Sequence, residues 1–182
     1  MALLPIEILG SEVLRRRAAD VAEIDEDLRI LIGDMFETMY DAEGIGLAAP
    51  QIGISRRVIV VDVREEGAEP FALINPRLVE TGQEREKGEE GCLSIPGLAA
   101  PVDRPLRVAV EGMNADGHPV RIEGEGLLAR CLQHEIDHLD GVLFIDHVSP
   151  LKRRMLLQKW KRSVATDAVL KAVGEGRSGA RG

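Results

Sequence analysis

The stretch that decides the reading is Gln133-His134-Glu135-Ile136-Asp137-His138. It continues an apolar face formed by Leu127, Leu128, Cys131, Leu132 and Leu139, and Gly141 is placed to stop the helix. On a helix, residues four apart lie about 40° apart around the axis, so His134 and His138 face the same way. Both imidazoles can then reach one metal ion at about 2.0–2.1 Å. Glu135 is rotated about 100° from His134, near enough to act on a water at the metal without ligating the metal itself. Two neutral nitrogen ligands beside a carboxylate base are what metal-assisted hydrolysis needs.

Two histidines leave a catalytic ion one protein ligand short. The longer pattern HExxHxxGxxH is satisfied through Gly141 and fails at Phe144; His147 stands three residues too far along. Cys131 is about 10 Å along the axis from His138 and reads as a small packed thiol. Asp137 points to another side of the helix, as an exposed or structural carboxylate. Cys92, in Glu90-Gly91-Cys92-Leu93-Ser94, is the remaining candidate, because a thiolate suits iron or zinc. Taken alone, it could equally be a buried free thiol.

Outward from these motifs, the pattern predicts an α+β fold with strands clustered between helices. Residues 25–41 read as an amphipathic helix capped by Asp25, with Leu28, Leu31, Ile32, Met35, Phe36 and Met39 at helical spacing. Gly44 to Gly53 is too glycine-rich for a regular element. Val58 to Val63 reads as a buried strand, with further strands at 71–79, 106–110 and 120–123, the last entered by a turn at 114–117. Ser149-Pro150 opens a last helix, with Ser149 as N-cap and Pro150 at the first position, running to about Val164 or a little beyond. The final GEGRSGARG is expected to be disordered.

The chain has 182 residues, 45% of them apolar, which suits one compact domain over residues 1–164, with 165–182 as helix end and tail. Two cysteines are too few for a disulfide framework and suit a reducing, cytoplasmic compartment. No leader pattern is seen at residues 1–10, and no stretch approaches the roughly 20 apolar residues of a membrane span. The net charge of −8 argues against binding free nucleic acid by bulk charge. That sum hides a split: residues 1–150 carry about −15 and residues 151–182 about +7. Lys152, Arg153, Arg154, Lys159, Lys161 and Arg162 follow Pro150 with no acid among them, beside the apolar Leu156, Leu157 and Trp160.

Three motifs in order, GIGLAAPQ (44–51), EGCLS (90–94) and QHEIDH (133–138), resemble those of the peptide deformylase family. The resemblance runs from Ile8 to the segment at Ser149. It implies antiparallel sheets packed around a central metal-binding helix, with a C-terminal helix. It also implies removal of the formyl group from N-formylmethionine of nascent chains. Carried over residue by residue, it makes Cys92, His134 and His138 the metal ligands, with water in the fourth position. The family typically works with Fe²⁺, although Zn²⁺, Ni²⁺ or Co²⁺ suits the same donors. Glu135 becomes general base and then general acid. The Gln51 amide and the Leu93 backbone N–H become donors to the tetrahedral oxyanion. Gly46 would hydrogen-bond the peptide, with Ile45, Leu127 and Cys131 forming a pocket for the methionine side chain. Glu90 would pair with Arg104 to support the Cys92 loop. Two departures bear on the outer subsites: Arg130, where some members have an apolar residue, and an uncharged loop Gly97-Leu98-Ala99-Ala100. In similar bacterial enzymes a C-terminal helix docks near the ribosomal tunnel exit, and the basic helix here is a candidate for that contact. The other readings are a zincin-type metallopeptidase and an inactive, metal-stabilised docking protein.

Overall fold

The computed structural model describes residues 2–178, with side chains through residue 168. Three helices, α1 (Glu26–Asp41), α2 (Gly126–Leu139) and α3 (Pro150–Ser178), accompany seven strands. The strands are β1 (Gly46–Ala48), β2 (Val58–Val61), β3 (Phe71–Thr81), β4 (Arg85–Cys92), β5 (Ile95–Pro105), β6 (Arg107–Met113) and β7 (Pro119–Glu125). Five of them form an antiparallel sheet in the order β1-β2-β3-β6-β7, and β4 and β5 form a hairpin of their own.

The run Val58-Ile59-Val60-Val61 is buried throughout because helices cover both faces of its sheet. Side chains alternate across a strand. Ile59 and Val61 therefore join Leu73, Val108 and Val110 against Leu132, Ile136 and Leu139 of α2. Val58 and Val60 join Ala72 and Ile74 against Leu28, Ile32, Met35 and Met39 of α1. Helix α1 begins as its sequence predicts, with the Asp25 carboxylate accepting from Leu28 N–H at 2.8 Å. Helix α2 is the central one. It stops at Gly141, whose φ of +74° and contact with the Arg15 backbone leave no room for a side chain.

The sequence reading misses the β4–β5 hairpin, and it takes residues 97–100 for a loop. They lie instead within β5, where Ile95, Leu98, Ala100 and Val102 are buried against Leu143, Phe144 and Ile145. Three prolines and a glycine hide this alternation. They are tolerated because a two-stranded sheet consists only of edge strands. Strand β4, REKGEEGC, has almost no apolar residues to mark it.

Helix α3 starts as expected, with Ser149 Oγ accepting from Lys152 N–H at 3.3 Å. Leu156, Leu157 and Trp160 pack against the hairpin's cluster. The helix outruns the expected end near Val164 and continues to Ser178, taking in the first five residues of the tail expected to be disordered. Extending a formed helix costs only the propensity of each added residue, which is small across Ala165–Val173. Residues 179–182 lie outside the described residues. No helix among the described residues is long and apolar enough to cross a membrane.

Candidate metal centre

Cys92 closes strand β4, and His134 and His138 stand one turn apart in the C-terminal half of α2. One potential donor atom from each lies within 4.8 Å of the other two. Cys92 Sγ is 3.3 Å from His138 Nε2, which is 3.2 Å from His134 Nε2. Sulfur and two imidazole nitrogens converging at this spacing are a donor set for a borderline transition metal such as iron or zinc. Both histidines are buried, and His138 is 1% exposed.

The ring of His134 is fixed from behind. Its Nδ1 lies 3.0 Å from Glu90 Oε2, which leaves Nε2 for the centre. Glu90 is itself saturated. Arg104 donates to both its oxygens at 2.8 and 2.9 Å, and Arg130 donates to Oε1 at 3.0 Å. Burial disfavours charge on Glu90, but the bonds from Arg104 and His134 outweigh it and hold the carboxyl well below the usual carboxylate range. Burial also disfavours charge on His134, yet hydrogen bonds to Cys92 and Glu90 draw its pKa up. At His138, burial and the neighbouring His134 and Arg104 push the pKa down, favouring the neutral form a ligand requires.

Glu135 sits beside the donor cluster and is 4% exposed. Burial pushes its carboxyl up to about 7, His134 pulls the other way, and Glu90 and Asp137 add to the rise. Its Oε2 is buried without a partner, as is His138 Nδ1. An unpaired carboxylate oxygen next to three converging donors fits a site that takes an ion and a water. Gly46 makes the space for that carboxylate, because a Cβ there would stand 2.5 Å from Glu135 Oε1 and 2.7 Å from Cys131 Sγ.

The remaining sequence candidates surround one cavity of about 620 Å³. Gln51, Leu93, Ile45, Gly46, Leu127 and Cys131 all line it, together with Cys92, His134 and Glu135. Gln51 Oε1 accepts from Ala48 N–H at 2.9 Å, which turns Nε2 toward Ser94 Oγ and Cys92 Sγ at 3.3 and 3.6 Å. Leu93 packs over Gly44, where a Cβ would meet its Cδ1 at 2.9 Å. The Cys131 thiol, 3.5 Å from Ile45 O, is pushed up by burial and then by Glu135 and Glu90.

Three residues left open by the sequence find their places. Phe144, where the longer histidine pattern fails, is buried and stacks on the His134 ring at 6.4 Å between centroids. His147 is outside the donor cluster, its Nε2 being 2.7 Å from Asp137 Oδ2. Asp137 also accepts from Arg104 at 2.7 Å, so it ties the helix to the hairpin. Sequence reasoning missed Ser94, beside Gln51, and it singled out Arg130 only for the outer subsites, whereas the side chain is nine-tenths buried among carbonyl groups of the hairpin.

Residues 3–154 match the family described as polypeptide deformylase. The chain belongs to that family. A peptide deformylase of Chromohalobacter salexigens is 52% identical over 162 residues, covering 89% of this chain and 95% of the relative. The crystal structure of a peptide deformylase from Legionella pneumophila superposes with a TM-score of 0.86 at 47% identity, covering 92% of this chain and 98% of that one. A peptide deformylase from Synechococcus elongatus in complex with actinonin gives 0.82 at 48% identity, covering 86% of each. The family is one of metal-dependent hydrolases that remove N-formyl groups from nascent peptides, and membership in it does not favour the metallopeptidase and inactive-protein readings. The α+β class and central helix expected from the motifs agree with these structures.

Proposed function

We propose that Cys92, His134 and His138 hold one divalent metal ion, and that the surrounding cavity hydrolyses the formyl amide of N-formylmethionyl chains. The observation that carries this reading is the convergence of the three donors within 4.8 Å beside a buried carboxylate with a free oxygen. When bound, the ion supplies Lewis-acid polarisation and an acidified water. Glu135 takes a proton from the attacking water at Oε2 and then passes it to the departing α-amine, releasing formate. Gln51 Nε2, held by the Ala48–Oε1 bond, donates to the tetrahedral oxyanion, and the Leu93 N–H is the second donor. Strand β1 is an edge of its sheet, so Gly46 is free to pair with an extended peptide. Ile45, Leu127 and Cys131 then receive the methionine side chain, whose flexible thioether suits an apolar lining.

Fe²⁺ is the ion we propose, with Zn²⁺, Ni²⁺ and Co²⁺ suited to the same one-sulfur, two-nitrogen donors. A substrate emerging from the ribosome puts the work in the cytoplasm, and the basic face of α3 is the surface proposed to dock near the tunnel exit. The test is formate release from a formyl-methionyl peptide by protein purified anaerobically, with total metal measured on the same sample. Cys92→Ala and His138→Ala should each lose the metal, while His147→Ala keeps it. Stoichiometric metal in Cys92→Ala would overturn the ligand set. Turnover of internally blocked peptides alone would overturn the substrate.

A further inference from the structure

The β4–β5 hairpin carries Cys92, and α2 carries both histidines. The hairpin shares no strand pairing with the five-stranded sheet, so apolar packing on Leu143, Phe144 and Ile145 and a set of side-chain bridges hold it against α2. Two arginines cross the gap in opposite directions and meet at Glu90. Arg104 starts on β5 and reaches Asp137 on α2. Arg130 starts on α2, one turn before His134, and reaches both strands of the hairpin. Its Nη1 donates to Glu90 Oε1 at 3.0 Å, to Val102 O at 2.9 Å and to Gly88 O at 3.3 Å, and its Nη2 donates to Glu86 O at 2.8 Å. Gly88 is what admits the guanidinium, because a Cβ there would lie 2.8 Å from Nη2 and 2.9 Å from Cζ. Arg130 is the far end of a flexible side chain, but it can retreat from such a Cβ only by breaking several of these bonds.

We infer that Arg130 is a positioning residue for the metal centre, registering the hairpin of Cys92 against the helix of His134 and His138, with Gly88 as its companion. The inference rests on the ligand set proposed above. A guanidinium can serve acceptors on two strands and a carboxylate at once, because its five N–H groups are held in a planar fork. An apolar residue at this position would leave Glu90, Arg104 and the Gln133 Nε2 bond to Pro105 O at 3.1 Å to tie the hairpin to α2.

The experiment compares the parent protein with Arg130→Met, Gly88→Ala, the double variant, Cys92→Ala and a core control, Leu28→Ala. Each is loaded with Co²⁺, and loss of its visible absorption to excess EDTA is followed alongside urea unfolding. Arg130→Met and Gly88→Ala should each lose Co²⁺ at least tenfold faster than the parent. The double variant should be no faster than Arg130→Met, since Gly88→Ala acts only through the guanidinium. Leu28→Ala, on the buried face of α1, should lower the unfolding midpoint without hastening the loss. Parent-like loss in both single variants overturns the inference, as does a Gly88→Ala effect that persists undiminished beside Arg130→Met. Acceleration in Leu28→Ala to the same degree also overturns it, because stability alone would then explain the rates. Gly88→Ala keeps the test decisive if Arg130→Met does not fold. Parent-like Co²⁺ retention in Cys92→Ala instead overturns the ligand set.

Discussion

Gly46 and Glu135 are packed so closely that one methyl group cannot come between them: an added Cβ would stand 2.5 Å from the carboxylate oxygen. The glycine in GIGLAAPQ and the glutamate in QHEIDH, 89 positions apart in the chain, are therefore one spatial unit. Gly46→Ala should push the Glu135 carboxylate out of line while leaving the fold and the three metal donors in place. A displacement near 1 Å at a reacting group costs on the order of 100-fold in rate. Formate release should fall by about that factor with metal content unchanged, and a parent-like rate would refute the coupling.

Glu135→Gln tests the carboxylate itself. The side chain keeps its size, so metal content should match the parent's, while turnover drops by about 10²–10⁴-fold, the usual range for a lost general acid–base. Because Glu135 is buried without an ion pair or a partner for Oε2, the amide should be no less stable than the carboxylate in urea. A variant that loses its metal would instead make Glu135 part of the binding set.

The motif helix was legible because three signals agree: apolar residues on one face, histidines one turn apart and a glycine stop. Cys92 could be singled out only by chemistry, and its strand could not be seen at all. REKGEEGC offers no alternation, since Glu90 fills an inward position that a strand usually gives to an apolar side chain, as Arg104 does on β5. Arg130 looked like a departure from an apolar pocket for a related reason. Its acceptors include main-chain carbonyls of a hairpin 28 and 44 residues away, and no residue-type pattern marks a carbonyl. Only Gly88 carried a trace of it, as a small residue with no turn to justify it.

Glu90 holds two buried arginines and a histidine ring at once. Glu90→Ala leaves Arg130 without a carboxylate and Arg104 with Asp137 alone, and breaking a buried pair in this way costs about 3–5 kcal/mol. Urea unfolding of the metal-free proteins should show a loss in that range. A loss under 1 kcal/mol would mean that Arg104 and Arg130 re-pair elsewhere.

Asp146 gives the fold a measurable acid sensitivity. It is partly buried, which opposes its charge, but Arg15, the Leu143 N–H and Arg153 hold its pKa below the ordinary value of 3.8. A depressed carboxylate stabilises the folded state fully above its unfolded pKa and loses that contribution as pH falls through the folded value. The stability gap between the parent and Asp146→Asn should therefore be constant from about pH 5 to 7 and shrink below about pH 3.8. A gap that does not change down to pH 2.5 would show that Arg15 and Arg153 are not its partners in solution.

Helix α3 has a packed apolar face and an exposed basic one. Leu156, Leu157 and Trp160 are packed on the hairpin cluster, so deleting the helix at Pro150 would expose that core. Arg154, Lys159, Lys161 and Arg162 are exposed, on a segment of about +7 attached to a body of about −15. Reversing Arg154, Lys159 and Arg162 to Glu leaves the packed face intact and removes the positive charge that would meet ribosomal RNA or an acidic ribosomal surface. Co-sedimentation with ribosomes should weaken, the parent's binding should fall steeply as salt is raised, and turnover of a short formyl-methionyl peptide should stay at the parent's level. Undiminished co-sedimentation of the triple variant would assign α3 a purely structural role.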